Sequence, residues 1–213
     1  QYNRPKGNFL QGSTAESIEV TGGGNTILRS IMHYRDKMFM LINDIIGGDE
    51  GGFAPEISDA FEAMDLLMEA VRKIDNPKVK LIVFGSVTPD LKEKIREQCS
   101  GIKVQYIGWI DSVDSYQYFA AADLVVFPGR HSVFWEQVAG LGVPMLCKYW
   151  KGTTHVDLGG NVEFLKEDSA EEICEKIKEL VSCPGKHNAM KTVATQKGME
   201  TFSYKKIAER ALM

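Results

Sequence analysis

One carboxylate sits where an acid has chemistry open to it. Glu136 lies inside "PGRHSVFWEQVAGLGVP" (128–144), a stretch that reads as a short helix, apolar nearly all round through Val133, Phe134, Trp135, Val138, Ala139 and Leu141. Just before it comes the polar loop Gly129-Arg130-His131-Ser132. An ionised carboxylate accepts two hydrogen bonds at once, which suits vicinal hydroxyls. A helix start, with the backbone N–H groups of Ser132 and Val133, suits a phosphate, and Arg130 and His131 add positive charge beside it. The combination predicts a nucleotide pocket, with the diphosphate on the helix start and the ribose on Glu136. The helix dipole alone also favours a Glu early in a helix, so a solvent-facing acid is the competing reading.

Other polar features are weaker. "KGTTHVDLGGN" (151–161) places His155 and Asp157 after a strand, either as a lining for sugar hydroxyls or as a surface turn with an Asp-capped bend. One His–Asp pair without zinc spacing predicts no metal site. Asp-x-Asp, the nucleophile elbow and the phosphate-binding lysine loop are all missing from the sequence. The glycines at 47–52 flank Asp49 and Glu50 and read as a flexible loop. Cys99, Cys147, Cys174 and Cys183 show no paired spacing, so reduced thiols are expected. His33 and His187 are expected at the surface, and Tyr116, Tyr118 and Phe119 against a sheet.

These residues need a scaffold, and the hydrophobic rhythm supplies one. Compact apolar runs at 37–44, 78–85, 103–109, 123–129 and 143–150 read as buried strands, with a further short strand at 161–165. Between them lie helical patterns at 59–74, 88–101, 112–122 and the Glu136 stretch. The helix at 169–182 carries Ser169 and Glu172 in capping-box spacing. The alternation predicts an α/β fold with one doubly wound, mostly parallel sheet. Ligands of such sheets bind at the carboxyl ends of the strands, which adds Gly85, Ser86, Gly108, Trp109 and Ile110 to the candidates. The expected division is an N-terminal segment at 1–25 with a short strand near 17–20, a Rossmann-like domain at 26–185 and a polar helical tail at 186–213.

Composition sets the outer bounds. A chain of 213 residues, 44% hydrophobic and 25% charged, is an ordinary globular composition. A net charge of −4 and the lack of a basic run argue against a nucleic-acid partner. There is no apolar stretch of membrane-spanning length, and the opening "QYNRPKGNFLQG" has no signal-peptide core. Without an initiator Met, the chain reads as a fragment of a longer one.

The segments "KLIVFG", "VQYIGW", "YQYFAAADLVVFPG" and "WEQVAGLGVPML" resemble the C-terminal, donor-binding half of a GT-B glycosyltransferase of the retaining, group-1-like branch. In that branch the helix reads Glu-Ala-Met-Ala-x-Gly-x-Pro; here it runs from Glu136 to Gly142-Val143-Pro144, one residue longer. The resemblance implies that Glu136 holds the ribose of a nucleotide sugar and that Gly108, Trp109 and Ile110 face the base. It implies transfer of a hexose to a glycan or lipid-linked acceptor that a missing N-terminal domain would bind. No obligatory metal or other cofactor is expected. Surface-polysaccharide synthesis in the cytoplasm, peripheral to the inner face of the membrane, is the family-level expectation. A sugar-nucleotide epimerase of the same architecture and a non-catalytic binding domain are the alternatives.

Three departures stand out. The family's first glutamate would fall at Pro128. Arg130-His131-Ser132 replaces the usual loop before the helix, and the glycine loop carries acids where the family has bases. Arg130, His131 and Lys148 are the candidate diphosphate ligands, with Lys151 a weaker one. No residue is assigned a catalytic role.

Overall fold

The computed structural model describes residues 39–45, 57–87, 89–99 and 101–212. The expectations for 17–20, His33 and the glycine loop at 47–52 lie outside the described residues.

Six strands form one sheet: β1 (Phe39–Ile45), β2 (Val79–Gly85), β3 (Val104–Tyr106), β4 (Leu124–Phe127), β5 (Met145–Lys148) and β6 (Val162–Leu165). Their order is β3-β2-β1-β4-β5-β6, and every neighbouring pair is parallel. The chain steps outward from β1 to β3 and then returns to place β4 on the other side of β1. Among the described residues the strand order reverses between β1 and β4, and open α/β sheets bind their ligands at the carboxyl ends of the strands beside such a reversal.

Alternating side chains feed two cores, because successive strand residues face opposite sides. Val79, Leu81 and Val83 of β2 and Leu124 and Val126 of β4 enter one core. Ile82, Phe84, Val125 and Phe127 enter the other. The first core is closed by α1 (Ile57–Lys73), α2 (Pro89–Gln98) and α5 (Ala170–Ser182), through Leu67, Met68, Ile95, Ile173 and Ile177. The second is closed by α3 (Ser112–Ala121) and α4 (Phe134–Gly140), through Tyr118, Phe119, Trp135, Val138 and Ala139. Tyr118 and Phe119 therefore pack against the sheet, as their pattern predicts.

The end of α4 explains a sequence feature. Gly142 adopts φ +72°, its N–H donates to Ala139 O at 3.0 Å, and Val143 N–H donates to Val138 O at 3.3 Å. This is a Schellman stop, and Gly142 is the residue that tolerates its left-handed turn. Pro144 follows with no N–H to continue the helix. The strand expected from 143 therefore begins only at Met145.

The beginning of α4 differs from expectation. Ser132 does not open the helix: Val133 is its N-cap, with no side-chain cap, and Ser132 Oγ instead accepts the Phe134 N–H at 3.3 Å. Glu136 consequently stands in the first turn. At α5, Ser169 Oγ accepts the Glu172 N–H at 3.2 Å, but the Glu172 carboxylate accepts from the N–H groups of Lys166 and Glu167. Only half of the capping box forms as the pattern suggests.

The tail folds back onto α4. It comprises α6 (Pro184–Val193), a π-turn (Ala194–Gly198), α7 (Met199–Phe202) and α8 (Tyr204–Ala211). A Cβ on Gly198 would meet Ala139 O at 2.3 Å, and one on Gly140 would meet Phe202 O at 2.8 Å. Glycine is what lets these backbones approach. His187, expected at the surface, is buried, and its ring Nε2 donates to Asp123 O at 2.8 Å. Its position on the inward face of α6 overrides the polarity of the surrounding sequence.

Candidate functional site

Parallel strands deliver their following loops to one edge. The loops after β4 and β5 are neighbours there because β4 pairs with β5. They bring together three residues that the sequence keeps apart. His131 Nε2 lies 2.8 Å from Glu136 Oε1, and His155 Nε2 lies 2.6 Å from the same oxygen. Each imidazole N–H donates to the carboxylate.

Each partner is held from behind. The His131 ring sits edge-on to Trp135 at 5.0 Å between centroids, and Trp135 is fully buried one residue before Glu136. The His131 loop is tied to the β5 loop by Trp150 Nε1, which donates to Gly129 O at 3.3 Å. The stretch after His155 is fixed from below by the buried Asn161. Its Oδ1 accepts the Leu158 N–H at 2.6 Å, and its Nδ2 donates to Val156 O at 2.9 Å. Lys197 in the tail donates to Leu158 O at 2.9 Å, and the Phe202 ring meets His155 edge-on at 6.4 Å. The tail thus helps to place a site residue.

Asp157 forms the expected capped bend: its Oδ1 accepts the N–H groups of Gly159 and Gly160. His155 partners Glu136, not its sequence neighbour. The sequence pattern gives it no place beside Glu136; the available signal is two histidines on loops that follow adjacent strands.

The other candidates divide between two places. Gly85 N–H donates to Gly108 O at 3.0 Å, and Tyr106 Oη donates to Gly85 O at 2.6 Å, so the ends of β2 and β3 are locked together. Ser86 and Trp109 are exposed beside them, while Ile110 packs on the second core. Arg130 and Val133 are exposed near Glu136, and Gly129 is half-buried. Lys148 is buried and paired with the exposed Asp168. Lys151 is exposed.

Two polar atoms here lack a partner among the described residues: Glu136 Oε2 and Trp135 Nε1, both buried. The Glu136 charge is felt below the site, where burial first and this carboxylate second raise the Cys147 thiol well above its ordinary value.

An open parallel sheet with its reversal between β1 and β4 is the Rossmann-like half of a GT-B architecture. The chain belongs to the glycosyl transferases group 1 family, whose model matches residues 52–183, more than half of its length. The enolase C-terminal TIM-barrel model also matches residues 12–86, but β1 and β2 lie in an open sheet of six strands rather than a closed barrel. No curated protein matches the sequence significantly.

Solved structures share the fold. The chain superposes with TM-score 0.62 on Anabaena HepE in complex with UDP-glucose, at 17% identity over 88% of this chain and 52% of that one. For sucrose-phosphate synthase from Thermosynechococcus elongatus the values are 0.64, 15%, 86% and 46%. For UDP-GlcNAc 2-epimerase from Neisseria meningitidis bound to UDP-GlcNAc they are 0.62, 14%, 89% and 49%. The chain spans about half the length of these structures. No helix among the described residues is long and apolar enough to cross a membrane.

Proposed function

We propose that this chain is the donor-binding half of a glycosyltransferase, holding a nucleotide sugar at the carboxyl edge of its sheet. One observation carries the reading. Glu136 stands in the first turn of the helix after β4, beside the β1/β4 reversal, with its carboxylate held by two imidazoles instead of facing bulk water. To take a ribose, the carboxylate exchanges at least one imidazole for a hydroxyl. The family match and the UDP and UDP-sugar complexes among the structural neighbours support the same ligand class.

The diphosphate is assigned to the same edge. α4 has seven residues and a weak dipole, Ser132 Oγ is engaged, and Lys148 is paired. The reading assigns the diphosphate to the cations of this edge, the exposed Lys151 among them. Stabilising a departing diphosphate by fixed positive groups is the electrostatic catalysis this arrangement favours. The acceptor would be a glycan or lipid-linked sugar held by a further domain.

Calorimetric titration of the chain with UDP, GDP and ADP tests the reading. One of them binds saturably, and Glu136→Ala weakens it by roughly 1.5–3 kcal/mol, the worth of a charged hydrogen-bond set. Affinity unchanged in the variant removes Glu136 from the pocket. The epimerase among the neighbours keeps a second activity in view: a sugar nucleotide whose stereochemistry inverts without any acceptor would replace transfer by epimerisation.

A further inference from the structure

We infer that His131, Glu136 and His155 form a binding site for a divalent transition-metal ion of the zinc class. One ligand atom from each lies within 4.8 Å of the others. Two imidazole nitrogens and one carboxylate oxygen are a three-ligand set that such ions use while keeping further positions open.

The two imidazole–carboxylate distances lie well inside that bound. Both Nε2 atoms point at the same oxygen, at 2.8 and 2.6 Å. Metal–ligand bonds of about 2.0–2.1 Å in a tetrahedron set ligand atoms about 3.3 Å apart. Replacing the two hydrogen-bonded protons by one ion therefore asks each imidazole to withdraw by roughly half an ångström or slightly more. Such a movement is within reach of side chains that are 32% and 46% exposed, and that exposure also leaves an ion a path from solvent.

The surroundings hold the ligands without filling the site. Trp135 and Phe202 restrict the two rings by edge contacts, and buried Asn161 fixes the loop after His155. These contacts limit the rotation of the two rings from behind. Two imidazoles select against Mg2+ and Ca2+, which take oxygen ligands. Glu136 is shared with the proposed nucleotide site, but the metal assignment stands on side-chain convergence alone. Its failure would leave that proposal intact.

The test is titration of the metal-stripped chain with ZnCl2 by calorimetry, with CoCl2 as an absorption probe and MgCl2 as the hard-cation control. The expected result is one zinc site, visible d–d bands on cobalt binding and no saturable magnesium binding. His131→Ala and His155→Ala each weaken zinc at least tenfold and remove the cobalt bands. Both positions are partly exposed, and far-UV circular dichroism of each variant establishes that it is folded. Absence of a zinc site, or zinc affinity unchanged in both folded variants, would overturn the assignment.

Discussion

His155 and Glu136 are 19 positions apart in the chain, yet their side chains meet at 2.6 Å. The contact joins the loop after β5 to the first turn of α4, so it measures how firmly two strand-end loops are tied together. Both partners are partly exposed, at 46% and 28%, so solvent reduces the value of the pair. A double-mutant cycle of His155→Ala and Glu136→Gln, read by urea unfolding, should give a coupling of about 1 kcal/mol or less, with each single change destabilising. Strict additivity would mean that the pair contributes nothing in solution.

Thiol reactivity should follow burial. Cys183 is exposed, whereas Cys147 and Cys174 are buried. Burial pushes the Cys99 thiol up to about 11 and that of Cys147 well above its ordinary range. Since the thiolate is the nucleophile, brief iodoacetamide treatment of the native chain near pH 8 should label Cys183 and leave Cys147 unlabelled. Peptide mapping before and after denaturation checks this. Rapid native labelling of Cys147 would contradict the closed packing beneath Glu136.

The sheet was legible because its signal is local. Unbroken apolar runs along 78–85 and 123–129 report directly that these strands are buried on both faces, and Gly142-Val143-Pro144 spells out a helix stop in adjacent residues. The His131–Glu136–His155 cluster was not legible in the same way. Along the chain the polar neighbour of His155 is Asp157, whereas its actual partner depends on β4 pairing with β5. Likewise, nothing in the polar tail announces that Gly198 and Phe202 lie against α4 and His155. Those contacts arise only once the tail folds back.

That return packing gives a contrast between two glycines. A Cβ at Gly198 would meet Ala139 O at 2.3 Å, a backbone atom that cannot swing away, while a Cβ at Gly185 in α6 meets nothing within 4 Å. Gly198→Ala should therefore destabilise the chain by roughly 1–3 kcal/mol through overpacking. Gly185→Ala should stabilise it by about 0.4–1 kcal/mol by restricting the unfolded chain. Thermal or urea unfolding of both variants checks the pair, and equal effects would refute the close approach of the tail to α4.

An ion-pair cluster on the far side of the sheet predicts a pH dependence. Burial alone would push the Glu163 carboxyl up, but hydrogen bonds from Lys176 and Lys186 outweigh it and hold the group below its ordinary value of 4.5. Lys186 also pairs with Glu179 at 2.9 Å, so the contact links β6, α5 and α6. A carboxyl that is more acidic folded than unfolded contributes its full stabilisation above the unfolded value. That contribution fades as pH falls through the depressed folded value, because the folded state must then take up a proton that the unfolded state already holds. Glu163→Gln should thus be less stable than the parent chain at about pH 7, and the two stabilities should converge as pH falls from about 5 towards 3. Urea midpoints measured across that range decide it: a gap independent of pH would show that Glu163 acts through packing rather than through its charge.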